Sequence, residues 1–142
     1  MPLLSRYFVR SSLLCLLAGF TIGGLILTAK AGVVSPLVWL WFPAHIALLL
    51  TGWLIQLALG VAYWIFPRII LTVRGRTRWA AASFIVMQSG LVFIAGSLLQ
   101  IWWPDAANLL GVGVLLQAAA VLLFAVHAWP RIRPAIIRPA SE

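Results

Sequence analysis

Two histidines are the side chains best suited to chemistry in this otherwise apolar chain of 142 residues, of which 64% are hydrophobic and 8% charged. An imidazole can ligate a metal, donate a hydrogen bond or carry a proton. His45 lies two residues past Pro43, at the head of a long apolar run, whereas His127 lies shortly before Pro130. The choice among these uses depends on what surrounds each ring.

Small and polar residues follow His45 at helical spacing. At about 100° per residue, Gly52 lies about 20° to one side of His45, Gln56 about 20° to the other, and Tyr63 directly below. Gly52 and Gly60 thin the helix, so that a flat group or another backbone can approach. This stripe predicts a face turned toward protein or a bound group. The alternative is that His45 only donates a hydrogen bond near a membrane interface.

His127 is expected to differ from His45, because its amphipathic ring suits the headgroup zone without any ligand. The two histidines fall at opposite ends of parallel helices. Their separation is therefore on the order of 25 Å, which excludes a metal bound by both within one chain.

Other candidate ligands are few. The only acidic residues, Asp105 and Glu142, fall in a loop and in the tail. Met87 could ligate iron or copper, but it shares a stripe with Ser83, Gly90 and Ser97, which is typical of helix packing. The lone Cys15 is expected to be an inert buried thiol. No set of acid, base and nucleophile emerges, so no catalytic residue is assigned and enzymatic activity stays open.

Four apolar runs organise the whole chain, at about residues 8–29, 37–66, 79–103 and 106–129. Each meets the ~20 residues needed to cross a bilayer. Short polar or charged breaks separate them, so the sequence predicts an all-α integral membrane protein with one domain over residues 1–142. Its four-transmembrane-helix up-down bundle ends in a basic tail at 131–142. Gly19 and Gly23 form a GxxxG pair, which favours close helix contact in the first span.

The net charge of +8 comes mostly from arginines that lie at alternate ends of the apolar runs. The arginines gather before the first span, between the second and third, and after the fourth: Arg6, Arg10, Arg68, Arg74, Arg76, Arg78, Arg131, Arg133 and Arg138. Only Lys30 falls on the other side. The positive-inside rule then predicts cytoplasmic N- and C-termini in the inner membrane of a bacterium or archaeon. Anionic lipid headgroups account for the charge without a nucleic acid.

Tryptophans flank the spans where interface anchors are expected. They are Trp39, Trp41, Trp102 and Trp103 on the side of Lys30, and Trp64, Trp79 and Trp129 on the side of the arginines. Such belts are typical of membrane–water interfaces, so the bilayer is one expected partner.

The pattern Ala44-His45, Gly52-Trp53, Gly60, Tyr63 and Pro67-Arg68 resembles the second transmembrane helix of proteins related to the catalytic subunit of haem-copper oxidases, including the NnrS family. The resemblance covers about 26 residues. It implies that His45 is an axial ligand of haem b. Gly52, Gln56 and Tyr63 would line the pocket, with Trp53 and Gly60 beside them. The family's copper histidines and cross-linked tyrosine have no counterparts here, so oxygen reduction is not implied.

The family's catalytic subunit looks like three four-helix arcs around a pseudo-threefold axis, and this chain looks like one arc. The resemblance therefore implies a homotrimer, an oxidase-like ring that presents three His45 side chains at one depth. The expected function is electron transfer, or gas and redox sensing, by a haem protein. A respiratory-chain protein is a further candidate partner. The alternatives are a cofactor-free structural or assembly subunit of a respiratory complex, or a copper or zinc site of symmetry-related His45 residues.

Overall fold

The computed structural model describes residues 1–66 and 77–132, and this part of the chain is almost entirely helical. Four helical spans in it are long and apolar enough to cross a membrane: Leu3–Lys30, Pro36–Ile65, Thr77–Ile101 and Pro104–Arg131. The predicted all-α class is confirmed, and each of the four predicted spans corresponds to one of these helical segments. Pro67 and Arg68, the loop arginines Arg74 and Arg76, and the tail at 133–142 lie outside the described residues.

The first span is one uninterrupted helix, α1 (Leu3–Lys30), and the second is composite. The second span begins as a 3-10 turn and passes through a π-helix. Its parts are the turn Pro36–Trp41, α2 (Phe42–Ala47), the π-helix Leu48–Ile55 and α3 (Gln56–Ile65).

The third and fourth spans are regular helices with short 3-10 turns where they meet. They comprise α4 (Thr77–Ser97) with the turn Leu98–Ile101, then the turn Pro104–Ala106 with α5 (Ala107–Ile132). Because α5 runs to Ile132, Arg131 belongs to this helix and not to the tail in which the sequence placed it.

The connection between α1 and the second span is a tight turn. Gly32 has φ of +75°, a left-handed conformation that glycine adopts without strain. Ser35 then accepts a hydrogen bond from the Leu37 N–H, and Pro36 starts the 3-10 turn. We call the end of the bundle that holds this turn and the corner at 102–103 the hairpin end. The opposite end, where α1 begins and α5 finishes, is the terminal end.

The buried side of α1 repeats at intervals of three and four residues. Its members are Ser5, Phe8, Ser12, Cys15, Gly19, Ile22, Ile26 and Ala29. An alternation of three and four is the seam of a left-handed coiled coil, in which neighbouring helices cross at small angles. Many of these residues are small, which lets the backbones approach closely.

Two apolar clusters fill the bundle, one near each end. Ile22, Ile26, Leu48 and Ile94 belong to the cluster toward the hairpin end. The cluster at the terminal end consists of Phe8, Tyr63, Ala80, Phe124 and Ala128. Since it draws on all four spans, it ties α1 to α4 and α5 as well as to α3.

Hydrogen bonds between helices close the hairpin end. The Trp41 indole N–H donates to the Leu98 carbonyl at 2.8 Å, and the Gln100 amide donates to the Leu40 carbonyl at 2.7 Å. Helix ends leave backbone carbonyls without a partner in the helix, so these side chains stabilise both 3-10 turns.

The α4–α5 pair packs through small residues. The Ser83 hydroxyl donates to the Ala120 carbonyl at 2.7 Å. At Gly90, a Cβ would lie 2.8 Å from the Gly113 carbonyl oxygen, so the two backbones nearly touch. Met87 is fully buried in the same contact. The stripe of Met87 therefore serves helix packing, which is one of the two functions that the sequence allowed.

The outer surface is apolar. Leu14, Leu17, Val92 and Leu115 are between 67% and 72% exposed. Such a surface is stable against lipid tails, and the tryptophans stand at its two rims: Trp39, Trp102 and Trp103 are exposed toward the hairpin end, Trp64, Trp79 and Trp129 toward the terminal end. These features are those of a multi-pass membrane protein.

Replacing Gly113 by alanine tests the α4–α5 contact. A Cβ there would lie 2.7 Å from Ile94 and 2.8 Å from the Gly90 carbonyl oxygen. We expect Gly113→Ala to lower the free energy of unfolding by about 1–3 kcal/mol, the range for overpacking. Gly111→Ala is the control, because nothing lies within 4 Å of its Cβ position. Reversible denaturation in detergent measures both, and equal effects would contradict the close contact.

Candidate functional site

His45 leans against α1 from the head of the second span. Its Nδ1 lies 2.8 Å from the Gly19 carbonyl oxygen. A carbonyl can only accept, so Nδ1 carries the proton and donates it to this bond. In the neutral ring the lone pair is then on Nε2. The local fold therefore fixes both the position of the imidazole and its tautomer.

Glycine makes room for the ring. A Cβ at Gly23 would lie 2.7 Å from Cε1 of His45, closer than real Cβ contacts allow. Phe42, one turn earlier in the second span, stacks beside the ring with centroids 6.4 Å apart and planes inclined by 30°. The GxxxG pair of α1 thus positions the imidazole, because Gly23 leaves space for the ring and the Gly19 carbonyl accepts its hydrogen bond. The sequence had assigned this pair only to helix contact.

A groove of about 490 Å³ opens beside the imidazole, between α1 and the second span. It is lined by Phe20, Gly23, Gly24, Ile26, Leu27, Lys30, Trp39, Phe42, His45 and Leu49. The volume is within the range of small-molecule pockets, about 300–1,000 Å³. Phe20, Trp39 and Phe42 are exposed on the bundle surface, so the groove faces outward.

Nε2 of His45 is free to bind a ligand in this setting. The described residues supply no hydrogen-bond partner for it, and the ring is only half-buried. Metal-bound histidines commonly donate their second ring N–H to a carbonyl, which orients the ring and raises its basicity. His45 and the Gly19 carbonyl have this arrangement.

The other predicted site residues do not line the groove. Gly52 lies in the bundle interior against Cys15 and Leu91, and Gly60 lies against Phe8 and Val9. Trp53 packs on the apolar cluster toward the hairpin end.

Gln56 and Tyr63 are likewise buried in the interior, at 0% and 3% exposure. The structure therefore confirms that the stripe faces protein, but it separates these residues from the groove of His45. Their predicted part in cofactor binding has no support from the geometry of this groove.

Depth along the second span explains the separation, because Gly52 and Gly60 meet α1 at Cys15 and Phe8, nearer the terminal end than Gly23. The π-helix keeps them on the buried face. The buried residues Ala44, Leu48, Gly52, Gln56 and Gly60 recur every four positions. In a uniform α-helix, at about 100° per residue, the first and last of these would lie about 160° apart. The wider π turns absorb this drift and keep one face buried. Winding across Leu48–Ile55 is therefore not uniform, but His45, Gly52 and Gly60 still share the side that faces α1, where they meet Gly23, Cys15 and Phe8.

A polar layer crosses the middle of the bundle. The Gln56 amide donates to the Ser11 hydroxyl, which also accepts from Gln88 at 3.1 Å. The Ser11 hydroxyl in turn donates to the Tyr7 carbonyl at 2.8 Å. This network joins α1, α3 and α4, so it helps to specify their register.

His127 is buried against protein, at 5% exposure, whereas the sequence predicted a ring exposed to the headgroup zone. Its ring stacks on Tyr63 with centroids 5.6 Å apart and planes inclined by 29°. Arg131 lies one turn further along α5, with its guanidinium carbon 5.8 Å from the centroid of the Tyr63 ring. The expectation was wrong because α5 stays packed through Arg131 instead of ending before it.

The two histidines lie in different parts of the described structure. Among residues 1–66 and 77–132, no three His, Cys, Asp or Glu side chains gather to hold an ion. His127 is at the terminal end with Tyr63, far down the second span from His45. The structure thus agrees that the two histidines do not share a metal.

Comparisons with known proteins give no independent guide. The chain matched no protein-family model, no curated protein and no solved structure. The resemblance of the second span to haem-copper oxidases stays a prediction. Inference about function therefore rests on the His45 groove.

Gly23→Ala tests the close contact between α1 and the His45 ring. The added methyl group displaces the ring and weakens its bond to the Gly19 carbonyl, so the ¹⁵N resonance of Nδ1 should shift. Gly24→Ala is the matched control on the next residue, where a Cβ meets nothing within 4 Å. Nuclear magnetic resonance of ¹⁵N-histidine-labelled protein measures the shift, and a His127→Gln variant identifies the signal. An unchanged His45 resonance in Gly23→Ala would refute the contact.

Proposed function

We propose that this protein binds haem b in the membrane, with Nε2 of His45 as an axial ligand of the iron, and serves electron transfer or gas and redox sensing. The observation that carries the proposal is the state of His45. Its Nδ1 is engaged by a backbone carbonyl, while its Nε2 is available beside an apolar groove.

Ligand number favours haem over a bare metal ion. A structural zinc site takes four protein ligands, and a catalytic one takes three. The described part of one chain brings no such group together. Haem carries its own four equatorial nitrogens, so one or two axial side chains suffice. A copper or zinc site would need His45 from at least three chains, whereas haem needs one or two.

The walls of the groove suit a flat apolar ligand. Phe20, Trp39 and Phe42 present aromatic surface, and Leu49 adds an aliphatic contact. Gly24 adds no side chain beyond hydrogen and has open space beside it, which leaves α1 flat next to the ring. Burying such surfaces against each other contributes roughly 25 cal/mol per Å² of apolar area.

The chain's own residues would tune the cofactor. Bound haem supplies reversible one-electron chemistry at iron. The Gly19 carbonyl holds the imidazole in the Nδ1–H tautomer and raises the basicity of Nε2. The apolar walls keep water away, and a dry surround affects the reduction potential.

A partner chain could cover the side of the groove that opens on the bundle surface. One face of a ligand on His45 would stay uncovered in a single chain, because the groove opens on the bundle surface. The proposal therefore includes a homotrimer in which neighbouring chains cover the haem. A second axial His45 comes from one of them, which the three imidazoles of a trimer allow for one haem. Arginine placement supports an inner-membrane location with cytoplasmic termini, and a respiratory-chain protein is the proposed electron partner.

Removal of the ligand tests the proposal. Protein purified in detergent from haem-replete cells should show α and β bands on dithionite reduction. His45→Ala should lose bound haem by tenfold or more and keep its helicity by circular dichroism. His127→Ala is the matched control, and its spectrum should match the wild type. Full haem retention in His45→Ala would refute the assignment. A colourless wild type would favour the cofactor-free subunit, or copper or zinc if metal analysis finds either.

The assembly is tested separately. Native mass spectrometry in detergent should give a trimer with bound haem, and His45→Ala should weaken the trimer if haem bridges the subunits. Monomers alone, from haem-loaded protein, would contradict the bridging haem and the trimer.

A further inference from the structure

The two polar side chains of the groove stand at different depths. Lys30 is the last residue of α1, at the hairpin end, whereas the His45 ring rests against Gly23, seven residues earlier on that helix. At about 1.5 Å per residue the separation along α1 is about 10 Å. The groove thus offers the lone pair of His45 at one depth and the positive charge of Lys30 about 10 Å nearer the hairpin end.

Lys30 is isolated among the cations of the chain. The sequence has no other Lys or Arg between Arg10 and Arg68, and none between Arg78 and Arg131. In the sequence this residue served only as the exception to the arginine distribution. Its position at the groove gives it a second use, because a lysine is a point charge that attracts a carboxylate.

Haem has a matching polarity, with iron at the centre and two carboxylates on one edge. A carboxylate in hydrocarbon is costly, so that edge must face an interface. We infer that Lys30 binds the carboxylate edge of the haem and directs it toward the hairpin end. This inference rests on the proposed function, and it adds the orientation of the cofactor and a requirement for free carboxylates.

Lys30 is exposed, so its contribution is modest. Charge pairs that stay in contact with water change binding by about fivefold or less. The consequence is selectivity: the groove should prefer a porphyrin with free carboxylates to the same porphyrin with esterified ones. A purely apolar groove would show the opposite preference.

Spectrophotometric titration of the haem-free protein in detergent tests this selectivity. The probes are ferric haem b and its dimethyl ester, which differ only at the carboxylates. The variants are Lys30→Gln, which removes the charge, and Lys30→Arg, which keeps it. Arg10→Gln is the control, since Arg10 is an exposed cation toward the terminal end of α1.

The quantity compared is the dissociation constant of the ester divided by that of the free acid. This ratio should be about three- to fivefold higher in the wild type, Lys30→Arg and Arg10→Gln than in Lys30→Gln. An identical ratio in wild type and Lys30→Gln would overturn the role of Lys30 and leave the haem site intact. Absence of any spectral change with either porphyrin would overturn the haem function, and the role of Lys30 with it.

Discussion

Close contact between α1 and the second span depends on glycines from both helices. Gly19 and Gly23 on α1 make room for the second span, and Gly52 and Gly60 on the second span make room for α1. In a bilayer the hydrophobic effect does not drive helices together, so association depends on such packing and on hydrogen bonds. The His45 imidazole uses the same gap, because its bond to the Gly19 carbonyl requires the backbones to be this near.

The helical architecture could be predicted from hydropathy and charge alone. Each apolar run is long enough to cross a bilayer, and a backbone in hydrocarbon must satisfy its own hydrogen bonds, so helices were the expected solution. The π-helix Leu48–Ile55 could not be predicted in this way. Its hydrogen bonds, such as Gln56 N–H to the Thr51 carbonyl, stay within the span. The π turns keep every fourth residue of the second span buried against α1 and α4, and these helices are distant in the sequence.

For the candidate site, the sequence singled out His45 but did not predict which residues surround it. His45 stood out because imidazoles are rare here, but its neighbours come from α1, about 25 residues earlier. Gly23 and Lys30 had visible signals, a GxxxG pair and an isolated cation, yet each was assigned to another use. Gly52 and Gln56 share the α1-facing side with His45, but they meet α1 at Cys15 and Ser11, nearer the terminal end than the groove. Pairing between helices decides such contacts, and hydropathy does not specify it.

Axial ligation by His45 is most directly tested by pulsed electron paramagnetic resonance on the ferric, ¹⁵N-histidine-labelled His127→Gln variant. In this variant His45 is the only histidine left in the chain. Hyperfine coupling between the iron and an imidazole ¹⁵N is predicted, from one ring or, in the bridged assembly, from two rings of different chains. A haem-loaded variant without imidazole coupling, or a coupling present in the wild type and lost with His127, would contradict ligation by His45.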